Sequence, residues 1–361
     1  MAAPALPKAN ASLQGKVPGV SLERHPRYAP PMEKRKFGRT GLDISVLTFG
    51  CGAVGGLMTR GDPADQERAV ARALEAGVNH FDTAAAYGHG ASEQNTGRVL
   101  AMLKPDIILS TKVRVPAERP DIGAAIASSL EASLRRLRRD HVDVFQLHNT
   151  IAARADGASM SVDEVLSDVV PALDRARQQG KTRFIGFTAI GETAALHALI
   201  GSGAFDTAQV PYNALNPSPG EPVAAGYPAQ DYGCILDKAA EAGVGTIGIR
   251  VLAGGALSGR AERNPLGAAV VEPIGSGRDY GADVARAQRL DPMVREGHAG
   301  SLTEMAMRFA LSNRRLSTTE IGLANIEELE AAIRAIELGP LSAAALARLK
   351  QLQAGFLGEA R

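Results

Sequence analysis

Residues 106–148 read DIILSTKV-RVPAERP-DIGAAIASSLEASLRRLRRDH-VDVFQLH. Two continuous, strand-like runs, 106–113 and 142–148, bracket a segment in which Ile122, Ile126, Leu130, Leu134 and Leu137 recur every three or four residues. Continuous rather than alternating runs are what strands covered on both faces require, and the recurring spacing puts the five side chains on one helix face. Strand, amphipathic helix, strand predicts two parallel strands joined by a right-handed crossover.

The same alternation extends in both directions. Further strands are predicted at 46–51 (VLTFGC), 79–83 (NHFDT), 182–187 (TRFIGF), 207–210 (TAQV), 245–251 (GTIGIRV) and 317–322 (STTEIG). Another helix face is formed by Val165, Val169, Leu173 and Ala176. Eight strands alternating with helices is the number that closes a (β/α)8 TIM barrel. An open doubly wound sheet fits less well. The run Gly50-Cys51-Gly52-Ala53-Val54-Gly55-Gly56 loosely resembles a dinucleotide fingerprint, yet no acidic residue closes a second strand about 20 residues later. Residues 34–45 predict a short hairpin turning at Thr40-Gly41, residues 252–300 a long insertion after the seventh strand, and 341–354 a final helix. A loop as long as that insertion is usually functional or mobile. Residues 1–32, rich in Pro and Ala, read as a flexible extension, and 33–361 as a single barrel domain.

Composition narrows the function classes. The 361 residues are 45% apolar, enough for a large core. Forty basic side chains against 39 acidic ones leave a net charge of +1, which argues against a surface built for nucleic acid. Two cysteines, Cys51 and Cys234, make no disulfide framework and suit a reducing, cytoplasmic setting. No apolar run is long enough for a membrane span, and residues 1–31 lack a secretory pattern. Of the seven histidines, His80, His89, His141 and His197 form no metal-spaced pair with Cys or carboxylate ligands, so no metal is expected.

Barrel active sites lie at the C-terminal ends of the strands. There the second strand offers Asp82, with Tyr87 five residues on, the third Lys112 and the fourth His148. A charge at a strand end in an apolar barrel is costly unless paired, and Asp82 beside Lys112 answers that need. A tyrosine next to a cation has a use as well. Bringing a phenol from about 10 to about 7 takes roughly 4 kcal/mol, which a buried ammonium can largely supply. Such a group could exchange a proton with a carbonyl or alcohol oxygen, while His148 orients that oxygen or relays the proton. Each residue alone has a plainer reading: a cap or paired charge for Asp82, a rim residue for Tyr87, a structural histidine for His148. Their joint occurrence on consecutive strands is what points to a site.

FDTAAAYG (81–88), STKV (110–113), DVFQLH (143–148), GKTRFIGFT (180–188) and QVPYN (209–213), in this order and spacing, resemble the aldo-keto reductase superfamily over about residues 34–340. The resemblance implies a tetrad of Asp82, Tyr87, Lys112 and His148, with Tyr87 as general acid/base. In it Lys112, bridged to Asp82, lowers the Tyr87 pKa. It also implies NAD or NADP extended across the barrel mouth. Gly52 and Ala53 fall in the first loop of that mouth, and Thr188 and Gln209 match positions that hold the nicotinamide carboxamide. The family's usual Asn after Thr188 is Ala189 here, and Ile249, followed by Arg250, stands where an aromatic usually stacks on the ring. The segment 252–260 matches the pyrophosphate loop, with Leu252, Gly254, Gly255, Ser258 and Arg260 as expected contacts. Asn325 and Glu328 fall against the adenosine ribose. A carboxylate at 328 would repel a 2′-phosphate, a slight lean to NAD that Arg314 and Arg315 could reverse. LSTTEIG (316–322) leans to the galactose- and fucose-dehydrogenase-like branch.

The implied activity is hydride transfer between a nicotinamide and a small-molecule sugar, aldehyde or ketone, or the corresponding alcohol. Sparse aromatics argue against a flat, steroid-like substrate, while Asn149, Ser218 and Tyr227 suit a hydroxylated one. Two alternatives remain at this stage: a cofactor-binding sensor with little turnover, and a barrel aldolase in which Lys112 forms a Schiff base.

Overall fold

The computed structural model describes residues 32–118, 121–157 and 159–359; the expected extension therefore lies, apart from Met32, outside the described residues. A hairpin of β1 (Lys34–Lys36) and β2 (Asp43–Ser45) precedes the first barrel strand, β3 (Leu47–Gly50). It turns through a 3-10 segment that ends at Gly41 with φ 74°, a conformation glycine adopts without strain. The chain continues through β4 (His80–Asp82), β5 (Ile108–Val113) and β6 (Val142–Leu147). A small sheet of β7 (Ile151–Ala152) and β8 (Met160–Ser161) follows, and then β9 (Thr182–Thr188), β10 (Thr207–Pro211), β11 (Gly245–Ile249) and β12 (Thr318–Gly322). Eight parallel strands close in the order β10-β11-β12-β3-β4-β5-β6-β9. All eight expected strands are present, with ends displaced by no more than two residues.

The crossover between β5 and β6 forms as helix Ile122–Leu137. The Asp121 side chain accepts from the Ala124 N–H at 2.8 Å, satisfying one of the donors a helix start leaves free. Its apolar stripe is buried from Ile126 to Leu137. Val165, Val169, Leu173 and Ala176 are also buried together, on a helical stretch whose Val165–Val169 turn is a π-helix. The final helix, Ala343–Ala354, buries Ala345 and Leu349.

The barrel interior is built in levels. At its foot Phe37 and Ile44 of the hairpin pack with Ile108, Val144 and Ile247, closing that end with apolar side chains. Above them is a polar level. Thr48 Oγ1 contacts His80 Nδ1 at 2.8 Å and Thr318 Oγ1 at 2.7 Å, and His80 Nε2 meets Ser110 Oγ at 2.7 Å. Burial pushes the His80 pKa down to about 4, so this histidine is a neutral part of the core. The top level holds Asp82, Lys112, Gln146, Gln209 and Glu320.

The insertion after β11 begins with a 3-10 segment, Ala253–Ser258, and later forms helix Tyr280–Gln288. Arginines fasten it to the first barrel loop. Arg60 donates to Leu266 O at 2.9 Å and to Ala53 O at 2.8 Å. Arg263 donates to Gly254 O, Ala268 O and Val54 O at 2.5, 2.8 and 3.3 Å.

Candidate active site

Asp82 ends β4, Lys112 is the penultimate residue of β5, and His148 directly follows β6. Tyr87 opens the 3-10 turn Tyr87–Gly90, where Gly88 and His89 both adopt positive φ. The four side chains meet. Lys112 Nζ donates to the Asp82 carboxylate, to Thr83 O at 2.9 Å and to Tyr87 Oη at 3.3 Å. An ammonium has three donors, and all three are engaged. The other Asp82 oxygen accepts from Gln146 Nε2 at 3.1 Å. His148 presents its ring edge-on to Tyr87, with centroids 5.9 Å apart.

Burial opposes the charge on Lys112, but Asp82, Tyr87 and Glu320 outweigh it and hold the amine firmly protonated. This removes the neutral amine a Schiff-base lysine needs. His148 is pushed down to about 3 by burial and by the neighbouring Lys112 and Arg114 charges, so its imidazole is neutral. Tyr87 departs from expectation. Lys112 does favour its phenolate, but burial, Asp82 and Glu320 prevail, and its pKa lies above the usual phenol value. The expected descent toward neutrality left out the burial of the ring and an acid not singled out from the sequence.

That acid is Glu320, on β12. Gln209 Nε2 donates to Glu320 Oε2 at 3.1 Å, while Gln209 Oε1 accepts from Thr188 Oγ1 at 3.2 Å. Burial, and next the Asp82 charge, raise the Glu320 carboxyl well above the usual carboxylate range, with Lys112 a partial offset. A signal was available: one acid in the middle of an otherwise uncharged barrel strand, STTEIG.

Tyr87 and His148 open onto a cavity of about 860 Å³, also lined by Thr188, Gln209 and Glu320. Gly52 and Ala53 line one wall; Ile249, Arg250 and Leu252 line another, with Gly254, Gly255 and Ser258 beyond them. The far end is formed by Asn325 and Glu328, at the start of helix Ile326–Glu337. Asp82 and Lys112 sit behind Tyr87 and do not line it. Arg260 was expected here and is outside the lining; Arg263, three residues on, takes that place. Arg260 lies past the Gly259 turn (φ 74°) and is exposed. Arg314 and Arg315 point away from the site, pairing with Glu33 and Asp237. Asn149, Ser218 and Tyr227 do not face the cavity either. Asn149 is bonded to both the N–H and the C=O of Val115, Ser218 Oγ donates to Gln230 O at 2.9 Å, and Tyr227 Oη donates to Leu215 O at 3.0 Å. Ala189 is fully buried and gives the cavity no polar group. Cys51 is a buried thiol, pushed up to about 12 by burial. Among the described residues no cluster of three or more His, Cys, Asp or Glu is arranged to hold a metal, and no helix is long and apolar enough to cross a membrane.

The cavity suits an extended nucleotide. Its volume lies in the upper part of the usual range for ligand sites, about 300–1,000 Å³. It has a hydroxyl–amide pair near Tyr87, a glycine-lined middle, and a helix N-terminus near its far end. Gly254 and Gly255 stand at φ 66° and 109°, and a Cβ at Gly254 would meet Val271 Cγ1 at 2.5 Å, so a side chain there is excluded.

The molecule is a closed (β/α)8 barrel with one cleft at its mouth, lined by Tyr87 and His148 and backed by the Lys112–Asp82 pair. The sequence pattern of the aldo/keto reductase family matches residues 46–354, and the chain belongs to that family. It is 28% identical to L-galactose dehydrogenase from Arabidopsis thaliana over 316 residues, covering 84% of this chain and 88% of that one. It is 26% identical to L-glyceraldehyde 3-phosphate reductase from Escherichia coli K12, covering 92% and 95%. Among solved structures, aldo-keto reductase AKR11C1 from Bacillus halodurans, in its holo form, is similar with a TM-score of 0.67 and 25% identity, covering 89% of this chain and 96% of that one.

Proposed function

We propose that this protein is a nicotinamide-dependent aldo-keto reductase in which Tyr87 passes a proton to and from the substrate oxygen. The observation that carries the reading is the Lys112 ammonium, satisfied by Asp82 and Thr83 and aimed at the Tyr87 hydroxyl. The residues at hand to hold the cofactor are Thr188 and Gln209 at the nicotinamide, the 252–258 loop at the pyrophosphate, and Asn325 and Glu328 at the ribose. The bound cofactor supplies or accepts the hydride.

Tyr87, kept in its phenol form by partial burial and by the Asp82 and Glu320 charges, donates to a carbonyl oxygen, and Lys112 stabilises the phenolate as it forms. Neutral His148 hydrogen-bonds the same oxygen and fixes its direction. In the reverse sense Tyr87 recovers the proton from an alcohol. Asp82 keeps Lys112 charged and in place. The substrates we infer are small polyhydroxylated aldehydes or ketones and their alcohols, in keeping with the names of the two curated relatives. NAD is the favoured cofactor. The Glu328 carboxylate stands at the far end of the cavity, where it also accepts from the Ala324 N–H at 2.7 Å, and Arg314 and Arg315 are committed elsewhere.

Tyr87→Phe tests the central role. Turnover of a sugar and aldehyde panel should fall by about 10²–10⁴-fold with nucleotide affinity unchanged. Full turnover in the variant would remove Tyr87 from the mechanism. NADPH binding tenfold tighter than NADH would overturn the cofactor preference.

A further inference from the structure

The carboxyl group of Glu320 is left without a part in the chemistry above, although it lines the cavity beside Tyr87 and Gln209. It is half-buried in the cavity wall, held between β3 and β10. A Cβ added at Gly50 on β3 would come within 3.0 Å of its Oε1, and Gln209 on β10 donates to its Oε2. The ionisable groups facing it are few. Cys51 lies beyond β3, Asp82 ends β4, Lys112 is on β5, and Tyr87 is in the turn after β4. The adjoining strand β11 and the next, β10, read GTIGI and TAQVP and carry no ionisable side chain. Arg250, beyond β11, lines the same cavity and acts on Tyr87.

Charge counting then sets the terms. Lys112 and Asp82 cancel. A second carboxyl beside that pair has no cation of its own, so with nothing else present its surroundings favour the protonated form. Hydride transfer requires the reacting end of the nicotinamide to lie near Tyr87, which is where Glu320 and its partner Gln209 stand. The oxidised ring is a cation and the reduced ring is neutral. One state therefore brings Glu320 the counter-charge it lacks and the other does not.

We propose that Glu320 is the counter-charge for the oxidised nicotinamide, carrying a proton when the reduced cofactor is bound and releasing it when the oxidised one binds. This rests on the cofactor placement in the preceding subsection. The balance closes within the site. Reduction of a carbonyl takes one proton from Tyr87 and leaves its phenolate, and the proton that Glu320 gives up as the ring becomes cationic restores the Tyr87 phenol. The site's total charge is thus unchanged across the hydride step, and no proton need be drawn from solvent at that moment.

The test is proton release on binding. Full-length wild-type protein is titrated with NAD+ and, separately, with NADH near neutral pH, by calorimetry in two buffers of different ionisation enthalpy. NAD+ should release up to one more proton per site than NADH does. Glu320→Gln should abolish that difference and weaken NAD+ relative to NADH by at least about tenfold, the order expected for opposite charges a few ångströms apart in a partly polar medium. Infrared difference spectra of the wild-type protein give a readout that needs no variant: a protonated-carboxyl band present with NADH and lost with NAD+. Equal proton release for the two nucleotides with an unchanged carboxyl band overturns the inference, as does a folded Glu320→Gln variant with an unaltered affinity ratio. Binding of neither nucleotide overturns the cofactor reading itself, and this inference with it.

Discussion

The Lys112–Asp82 pair can be removed as a unit, and the outcome separates its structural role from its chemical one. Lys112→Met alone leaves Asp82 buried without its cation, and losing one partner of such a pair typically costs roughly 3–5 kcal/mol. Lys112→Met with Asp82→Asn leaves no charge stranded; the amide introduced in place of the carboxylate keeps an acceptor for Gln146, and much of that loss should return. The chemistry should not. Lys112 Nζ lies 3.3 Å from Tyr87 Oη. Two unit charges at that separation in a medium of effective dielectric about 20 interact by about 5 kcal/mol. A transition state that has moved half to all of the proton off Tyr87 would lose about 2.5–5 kcal/mol, or roughly 10²–10⁴ in turnover. The assay is nicotinamide absorbance with the best substrate of a carbonyl panel, beside a thermal melt and a nucleotide titration on the same preparations. A double variant that is folded, binds nucleotide and turns over within tenfold of the parent would refute the reasoning.

Acid should destabilise the protein early. His80, depressed to about 4, is neutral in the fold but accepts a proton in the unfolded chain near 6.5, so stability is full above about 6.5 and falls as pH drops toward 4. The window corresponds to about 3 kcal/mol for His80 alone. His148, depressed to about 3, carries the same sign. Urea midpoints from pH 7.5 to 4.5 check this, and His80→Asn should flatten the slope. Arg263→Ala should loosen the insertion over the cavity and speed nucleotide release by about tenfold or more, since it removes charged hydrogen bonds worth roughly 1.5–3 kcal/mol each. Stopped-flow displacement measures the rate, and an unchanged rate would show that the insertion does not gate the cleft.

The strands were legible because each is buried on both faces, so its composition alone sets it apart from the amphipathic helices between. Asp82, Lys112 and His148 were legible because an ionisable side chain at the end of such a strand is conspicuous, and Tyr87 through its place five residues after Asp82. What escaped depends on three-dimensional enclosure. Glu320 lies within a strand rather than at its end, and its meaning comes from Asp82 and Gln209, which are 238 and 111 residues away along the chain. The Tyr87 shift runs upward because burial and the Asp82 and Glu320 charges oppose Lys112 there, and the sequence shows the cation without that setting. Arg260 and Arg263 are both basic residues in one loop, and only the path past Gly259 tells which of them faces inward. Asn149, Ser218 and Tyr227 looked free for substrate because backbone groups cannot be counted as partners before the loops are folded.

The apolar cork of Phe37 and Ile44 gives the chemistry a boundary on its lower side. Solvent meets Tyr87 and Glu320 only from the mouth, with Lys112 buried behind them, and a nucleotide seated there would shut that door. From docking until departure, the protons in the chamber would then be a fixed inventory. Their arrangement would record which nucleotide arrived more faithfully than the acidity of the surrounding medium.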